Sequence, residues 1–419
     1  MSEKIFGLLG RKLSHSYSAP IHRELGIADY RLIELEPHEL EAFMRRDDIG
    51  ALNVTIPYKR DALKICDHVS DEALEVGSVN TVVRKPDGKL YGYNTDVFGF
   101  LYMADSANID FKNKKTLIFG SGGASLTAVY AAKLRQASEV IVISRNGENN
   151  YENLHLHSDV EVIVNATPVG MYPETDASPA SLDLFPKCTG VLDMIYNPVR
   201  TRLLIDAEKR GIPYSNGLPM LVAQAKAAEE FFFDRPFPDS EIPRITAALL
   251  RETVNVVLVG MPGCGKTTVG NELARLMGRE MVDIDAEIVK SAGMSIPEIF
   301  AKYGEEHFRK LEREKSAEIG RSHGIIISTG GGVVKDYTNN YPSLHGNGFI
   351  VHLERELGQL DRDGRPLSAG ADLSKMYEER LPMYKSFRDA VCENRSDPKD
   401  AAKNILRMFG DYLDSHIGG

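Results

Sequence analysis

At 419 residues, with 42% hydrophobic and 26% charged side chains, the chain is long enough for two or more globular domains, each able to bury its own core. A formal charge of −10 and an isoelectric point near 5.7 argue against nucleic acid or an anionic membrane as the main partner and favour small metabolites. Cys66, Cys188, Cys264 and Cys392 show neither zinc nor C-x-x-C spacing, and the first apolar run is too short for a signal peptide or a membrane span, so a reducing cytoplasm is the expected setting.

In chain order, the pattern begins with a strand over 4–9, a polar loop K-L-S-H-S-Y-S, and a helix opening near Pro20. Ser16 and Ser18, one residue apart, can point two hydroxyls to one side of an extended loop, which suits a polyhydroxylated ligand. The next apolar strand, A-L-N-V-T-I-P-Y-K over 51–59, puts Asn53 and Thr55 on one face, and Pro57 ends it, so Lys59 falls on the loop or helix beyond. V-G-S-V-N-T-V-V, a turn at Asp87-Gly88 and L-Y-G-Y-N-T-D then predict a hairpin that places Asn80 and Asp96 near strand ends. A lysine beside an aspartate, among amides and hydroxyls, has the parts to bind an alcohol and move a proton.

From Lys114 the pattern alternates strand and helix, as a parallel α/β sheet requires. K-T-L-I-F runs into Gly120, Ser121, Gly122, Gly123 and Ala124, with an alanine-rich helix predicted over 126–136; this meets the first two positions of G-x-G-x-x-G and has Ser125 at the third. Where a ribose-binding carboxylate would be expected about twenty residues on, the chain has Ser144, Arg145 and Asn146. A cation with neighbouring donors suits a 2′-phosphate, so NADP is preferred to NAD. Two further strands end at Asn165 and Thr167 and at Asp193, Tyr196 and Asn197, where open parallel sheets bind ligands. A helix begins at Gly217 with Pro219 in its first turn, and a short helix over 240–251 leads almost directly into the next strand.

Together, S-H-S-Y-S at 14–18, N-V-T-I-P-Y-K at 53–59, V-N-T at 79–81, N-T-D at 94–96, G-S-G-G-A-S at 120–125, N-A-T-P-V-G-M at 165–171 and G-L-P-M-L-V-A-Q at 217–224 resemble the shikimate dehydrogenase family. The resemblance implies that Ser16, Ser18, Thr55, Asn80, Asp96, Tyr196 and Gln224 contact shikimate, and that Lys59 and Asp96 are the catalytic pair. It also implies reversible reduction of 3-dehydroshikimate by NADPH. The cofactor-facing set is Gly120, Ser121, Gly122, Gly123, Ala124, Ser144, Arg145, Asn146, Thr167 and Gly217. Only fifteen residues separate Ser144 from Val160, so the cofactor sheet is expected to lack an outer element that the family usually has.

The strongest local signal lies over 254–270, V-N-V-V-L-V-G-M-P-G-C-G-K-T-T-V-G. An apolar β-branched run ends at Gly260, G-x-x-x-x-G-K-T is met by Gly260, Gly265, Lys266 and Thr267, and an amphipathic helical pattern follows. Glycines at 260, 263 and 265 let backbone N–H groups turn onto phosphate oxygens, Lys266 adds a point charge, and Thr267 offers a hydroxyl to Mg²⁺. Gly263, Cys264, Gly265, Lys266, Thr267 and Thr268 form the expected ATP-binding loop. Beyond it, Asp283 and Asp285 are placed on one side of a strand end, Arg309 and Glu312 one turn apart on a helix, and I-I-I-S-T-G-G-G ends in Gly330, Gly331 and Gly332. No H-R-D or D-F-G occurs, which excludes a protein kinase.

With G-R-P-L at 364–367 and E-R-L-P-M-Y at 379–384, this half resembles the shikimate kinase family. The resemblance implies that Asp285, Arg309, Gly331, Gly332 and Arg380 bind shikimate, with Asp285 accepting the proton of the attacking hydroxyl. Asp283 would reach Mg²⁺ with Thr267, and Arg365 would close over the transferring phosphoryl group and contact ATP. The segments beside Arg365 look clipped, so a small lid is expected.

The expected architecture is α/β throughout. Residues 1–251 form a dehydrogenase-like unit, with a substrate subdomain over about 1–100 and 216–251 and a Rossmann-like NADP subdomain over about 101–215; a P-loop domain of the nucleoside-monophosphate-kinase type follows over 252–419. The leading reading is a bifunctional enzyme running two successive steps with NADP(H), ATP and Mg²⁺. A second reading keeps the kinase and makes the first half a non-catalytic or quinate-preferring module; the intact Lys59, Asp96, Ser16 and Ser18 argue against loss of catalysis. Small molecules are the expected partners, with neither nucleic acid nor membrane, and oligomeric state is left open.

Overall fold

Three sheets, each drawn from one continuous stretch of chain, carry the architecture of the computed structural model, which describes residues 4–13, 17–360, 373–395 and 397–415. The first contains β1 (Ile5–Gly10), β2 (Tyr30–Glu34), β3 (Ile49–Val54), β4 (His68–Val69), β5 (Thr81–Arg84) and β6 (Leu90–Tyr93), in the order β2-β1-β3-β5-β6-β4. Its β1, β2 and β3 run parallel, while β5 pairs antiparallel with both β3 and β6. The β5–β6 turn is the predicted hairpin: Gly88 takes φ +79°, where a side chain would be strained, and the Lys85 N–H donates to the Lys89 carbonyl at 3.0 Å. The hairpin thereby returns the chain to Asp96 beside β3.

The second sheet is all parallel, with β7 (Lys115–Phe119), β8 (Glu139–Ile143), β9 (Val162–Asn165), β10 (Gly190–Asp193) and β11 (Tyr214–Ser215) in the order β11-β10-β9-β7-β8. The chain goes from β7 to β8, then crosses back to β9 on the other side of β7. The glycine turn after β7 and the loop after β9 therefore flank a topological switch point, the usual ligand crevice of such sheets. The outer element expected to be missing is absent here: β8 is the sheet edge, and the segment between β8 and β9 contains one 3₁₀ turn, Leu154–His157. The helix after β7 starts at Gly123, earlier than its alanine-rich pattern suggests, because Gly122 caps it in an extended conformation and its carbonyl accepts the Ser125 N–H at 3.2 Å.

The third sheet is also parallel, with β12 (Asn255–Val259), β13 (Met281–Asp283), β14 (Ile326–Ser328), β15 (Gly348–Glu354) and β16 (Ala390–Glu393) in the order β13-β14-β12-β15-β16. Counted from the P-loop strand this is 2-3-1-4-5. The P-loop strand is thus central and all five residues are buried, four of them valine or leucine as in a doubly covered sheet and the fifth, Asn255, with its amide hydrogen-bonded.

Helix Glu241–Thr253 joins the halves, and only Val254 separates it from β12. Its buried residues Ile242, Ile245, Thr246, Leu249 and Leu250 follow the i, i+3, i+4, i+7, i+8 stripe of an amphipathic helix. The stripe belongs to one apolar cluster that extends from Ile21, Leu218 and Val222 through Leu249 to Val256, Leu273 and Leu413. At about 1.5–3 kcal/mol for each fully buried leucine or isoleucine, this shared core ties the two halves together by packing. Among the described residues no helix is long and apolar enough to cross a membrane.

Candidate active sites

The first site is a cavity of about 320 Å³ between the first two sheets. It is lined by Ser18, Thr55, Lys59, Asn80, Asp96, Tyr196 and Gln224, and also by Asn53, Ala124 and Gly217. Every described residue of the expected substrate set is therefore brought to one cleft; Ser16 lies outside the described residues. Lys59 opens helix Lys59–Ile65 directly after the loop that ends β3, and Asp96 opens helix Asp96–Ser106 directly after the hairpin. Their side chains meet at 2.5 Å, Nζ donating to Oδ2, with 22% and 12% of each exposed. The pair is sheltered from solvent yet open to a ligand on the cleft side. Asp96 sits in the first turn of its helix, where negative charge is favoured, and its N–H donates to Asn94 Oδ1 at 3.0 Å.

Buried amides stiffen the floor. Asn80 Oδ1 accepts the Thr95 N–H at 2.8 Å, and Asn80 Nδ2 donates to Thr95 Oγ1 at 3.1 Å, leaving one amide hydrogen for a ligand. Asn53 is held by Tyr30, whose hydroxyl donates to its Oδ1 at 2.7 Å. Behind Tyr30 its ring stacks on His22 at 3.9 Å, and burial pushes the His22 imidazole down to about 3, so it is neutral there. Tyr196 packs on Tyr17 at 5.3 Å between ring centroids, and burial raises both phenols, Tyr17 to about 12, so both remain hydrogen-bond donors. The supporting roles of Asn94, Thr95 and Tyr30 are missed by the sequence reading; only the N-T-D motif hinted at the first two.

The glycine turn at the edge of this cleft fits a dinucleotide pyrophosphate. Gly120 takes φ +108°, and a Cβ there would come within 2.9 Å of the Ala166 carbonyl, whereas at Gly122 and Gly123 nothing lies within 4 Å. The exposed N-terminus of helix Gly123–Leu134 thus faces open space that can take an anion. Thr167, after β9, is pinned by its hydroxyl donating to Asn165 Oδ1 at 2.7 Å. Ser144 follows β8 and its N–H donates to the Asn149 carbonyl at 3.1 Å, while Arg145 and Asn146 are exposed beyond it. Ser121 is exposed on the turn, and Ala124 and Gly217 line the substrate cavity, so the two ligand spaces are continuous.

The second site lies at the carboxyl ends of the third sheet. Gly260, Gly263 and Gly265 have φ of +152°, +82° and +95°, the conformations that only glycine adopts without strain. Helix Lys266–Met277 starts at the loop, with Lys266 buried and its Nζ donating to the carbonyls of Gly260 at 2.9 Å and Met261 at 3.1 Å. Asn394, after β16, donates to the Cys264 carbonyl at 2.8 Å; no local signal in the sequence indicates this contact across 130 positions. Thr267 donates to Asp283 Oδ2 at 2.8 Å, and Ser328 donates to the same oxygen at 2.9 Å. Hydroxyl and carboxylate thus stand together as a hard oxygen pair, the donor type Mg²⁺ takes when phosphates and water complete its shell. Thr268 is exposed in the first turn.

Asp285 corrects the strand-end reading. β13 ends at Asp283, which caps helix Ile284–Ala292 by accepting the Ala286 N–H, so Asp285 is in the first turn of that helix and not on a strand face. It reaches the glycine turn after β14: a Cβ on Gly330 would come within 2.7 Å of Asp285 Oδ1 and 2.9 Å of Glu312 Oε1. A Cβ on Gly331 would strike Pro262 at 2.6 Å, and one on Gly332 would strike the Arg309 guanidinium. The turn is therefore wedged between the phosphate loop and the carboxyl-binding candidates. Arg309 donates to Glu312 at 2.7 Å and to Glu305 at 3.0 Å, and burial, aided by the charge of Asp285, pushes the Glu312 carboxyl up against the pull of Arg309. Arg380, on helix Leu373–Phe387, donates to the Gly331 carbonyl at 3.0 Å, as the Tyr384 hydroxyl does at 2.6 Å. Arg365 and the lid segment around it lie outside the described residues.

A family model described as shikimate dehydrogenase substrate binding domain matches residues 8–82, and one described as shikimate kinase matches 262–409. The chain is similar to the NADP(+) shikimate dehydrogenase of Caldicellulosiruptor bescii, 38% identical over 260 residues that cover 55% of this chain and 90% of that protein. It is also similar to the enzyme of the same name from Geobacillus kaustophilus, 34% identical over 255 residues, 54% of this chain and 92% of that one. Among solved structures, a chorismate mutase/shikimate 5-dehydrogenase fusion from Clostridium acetobutylicum aligns at TM-score 0.57 and 34% identity over 59% of this chain and 98% of the other. The shikimate 5-dehydrogenase of Thermus thermophilus, solved with NADP(H) and shikimate, aligns at 0.53 and 30% over 58% and 99%.

Proposed function

Because the chain belongs to the shikimate dehydrogenase family and carries a shikimate kinase domain after it, we propose that it performs two successive reactions, reducing 3-dehydroshikimate to shikimate with NADPH and then phosphorylating shikimate with ATP. The observation that carries the first is the Lys59–Asp96 pair, 2.5 Å apart in a cleft lined by hydroxyls and amides. Bound NADPH supplies the hydride. Lys59 supplies the proton to the ketone oxygen, Asp96 holds the ammonium in place, and Ser16, Ser18, Thr55, Asn80, Tyr196 and Gln224 grip the ring substituents. Gly120, Ser121, Gly122, Gly123 and Ala124 would cradle the pyrophosphate of NADPH, Thr167 and Gly217 would complete the cofactor site, and Ser144, Arg145 and Asn146 would receive the 2′-phosphate. Given 3-dehydroshikimate, NADPH, ATP and Mg²⁺, the purified chain should consume NADPH and accumulate shikimate 3-phosphate with no other enzyme present; shikimate phosphorylation without NADPH consumption would reduce the first half to a binding module.

In the kinase half, Arg309 and Arg380 hold the substrate carboxylate, Gly331 and Gly332 let the ring approach the backbone, and Asp285 accepts the hydroxyl proton. Gly263, Cys264, Gly265 and Thr268 would wrap ATP, Lys266 and Arg365 would neutralise phosphoryl charge, and Thr267 and Asp283 would hold Mg²⁺. We place the boundary between the halves at 251/252, within the last turn of helix Glu241–Thr253. Small molecules are its partners, and the four cysteines, all free thiols, support a cytoplasmic setting.

Two outcomes test the specificity groups. NADPH should be preferred to NADH in kcat/KM, and Arg145→Ala should cut that preference about ten-fold or more, a charge-assisted phosphate contact being worth about 1.5–3 kcal/mol; equal use of NADH by the wild type would remove Arg145 from the site. Arg380→Ala should raise KM for shikimate far more than KM for ATP, by ~2–5 kcal/mol for a buried charge pair, or about thirty-fold and upward. An unchanged shikimate KM would show that Arg380 serves only the Gly331 carbonyl.

A further inference from the structure

Neither chemistry uses a cavity of about 460 Å³ between the halves. Its wall is made by Tyr102 and Ser106 of helix Asp96–Ser106, Glu208 of helix Arg202–Lys209, Tyr214 of β11, Leu218 and Pro219 of helix Leu218–Phe233, Leu250 of the joining helix, and Tyr412 and Leu413 of helix Pro398–Ser415. Its volume falls in the range of small-ligand pockets, roughly 300–1,000 Å³, and junctions between domains are where such pockets occur.

One end of the cavity is charged. Arg200 is 3% exposed; its Nη1 donates to the His345 carbonyl at 3.0 Å, its Nε is 3.6 Å from Glu208 Oε1, and its guanidinium lies 5.5 Å from the Tyr412 ring centroid. Glu208 accepts the Tyr214 hydroxyl at 3.0 Å and faces His345 Nε2 at 2.7 Å. Burial opposes its charge, but the His345 hydrogen bond and Arg200 outweigh burial and hold its carboxyl down at about 2, so cation and anion stand side by side. Arg200 also hydrogen-bonds Tyr214 and faces the Asp389 carboxylate, but its distance to Glu208 exceeds hydrogen-bond length and a guanidinium has five N–H donors, so the fork retains capacity for a further carboxylate. Away from that end, Leu218, Pro219, Leu250, Val254 and Leu413 form an apolar stretch of wall, beside the polar groups of Ser106, Ser215, Asn216 and Thr246. A lone anion would meet Arg200 but oppose Glu208, and a lone cation the reverse. A molecule with both charges on neighbouring atoms satisfies both.

We propose that this cavity binds a small zwitterion with an apolar side chain, of the α-amino-acid class, and that its occupancy acts on the dehydrogenase cleft. The connection is one helix turn: Leu218 and Pro219 face the cavity, whereas Gly217, Met220, Leu221 and Gln224 line the substrate cleft. Helix Asp96–Ser106 is shared in the same way, with Asp96 in the cleft and Tyr102 at the cavity.

Calorimetric titration of the full chain with L-leucine and L-phenylalanine, beside phenylpropionate and phenethylamine that each lack one charge, tests the site. One-to-one saturable binding of at least one amino acid is expected, with ten-fold or greater weakening for the single-charge analogues. Glu208→Gln should weaken it at least ten-fold, and Ser106→Trp, which fills the space from a half-exposed wall position, should do the same while kinase activity reports an intact fold. At saturation KM for 3-dehydroshikimate should shift three-fold or more. Absence of binding, or binding unchanged in Ser106→Trp, overturns the site; binding without any change in dehydrogenase kinetics overturns its action on the cleft.

Discussion

Lys59→Ala is expected to slow NADPH-dependent reduction of 3-dehydroshikimate by about two to four decades, the usual contribution of a positioned proton donor, while phosphorylation of added shikimate stays near wild type. The separation follows from the architecture: Lys59 and Asp96 lie between the first two sheets, and the phosphate loop lies at the third. Lys59→Arg restores the charge next to Asp96 but not the chemistry, because a guanidinium does not give up its proton. It should therefore recover substrate affinity more than turnover. NADPH oxidation and shikimate-dependent ADP release, measured on the same preparation, read both halves. A Lys59→Ala enzyme that still reduces the ketone at the wild-type rate would transfer the proton donor's role to another group or to water.

How legible the sites were depends on how local each signal is. The phosphate loop is nearly self-contained: Gly260, Gly263, Gly265 and Lys266 lie within seven residues, and their positive φ angles are what the spacing of glycines demands. Lys59 and Asp96 are 37 positions apart, yet each follows the end of a strand in the same sheet, so turn signals at Pro57 and Asp87-Gly88 were enough to bring them together. A period of two extended past Asp283 puts Asp285 on a strand, but the side chain that ends β13 also caps the next helix, and that switch from period 2 to 3.6 leaves only a one-residue trace in the sequence.

Contacts fixed only by the packing of distant elements left no trace. Asn394 on the Cys264 carbonyl, Ser328 on Asp283 and Tyr384 on Gly331 all depend on the 2-3-1-4-5 strand order, which single-chain patterning does not specify. The junction of the halves was equally silent. A short linker was evident, but nothing in the local pattern placed Arg200 against the His345 carbonyl, 145 positions away. Of these contacts it is Arg200 on the His345 carbonyl that crosses the junction and helps to make the two catalytic units one packed body.

Lys266→Ala should produce the converse separation. Its Nζ is buried among the carbonyls of Gly260 and Met261, at the centre of a loop whose backbone N–H groups are available to phosphate oxygens. Removing a preorganised positive group at a site of developing charge costs about two to three decades in kcat, and loss of the ammonium leaves both carbonyls without that donor. The change should therefore also lower the melting temperature of the kinase half, and Lys266→Arg, which keeps a charge with different reach, helps to separate loop collapse from loss of phosphate contact. Supplied with 3-dehydroshikimate, NADPH, ATP and Mg²⁺, the Lys266→Ala chain should consume NADPH at the wild-type rate and stop at shikimate, detected as the accumulating product by chromatography. If shikimate 3-phosphate still forms at the wild-type rate, the charge that supports phosphoryl transfer comes from elsewhere in the loop. If NADPH consumption falls in parallel, the packed junction transmits a kinase-loop change to the dehydrogenase cleft, and the two halves are not catalytically independent.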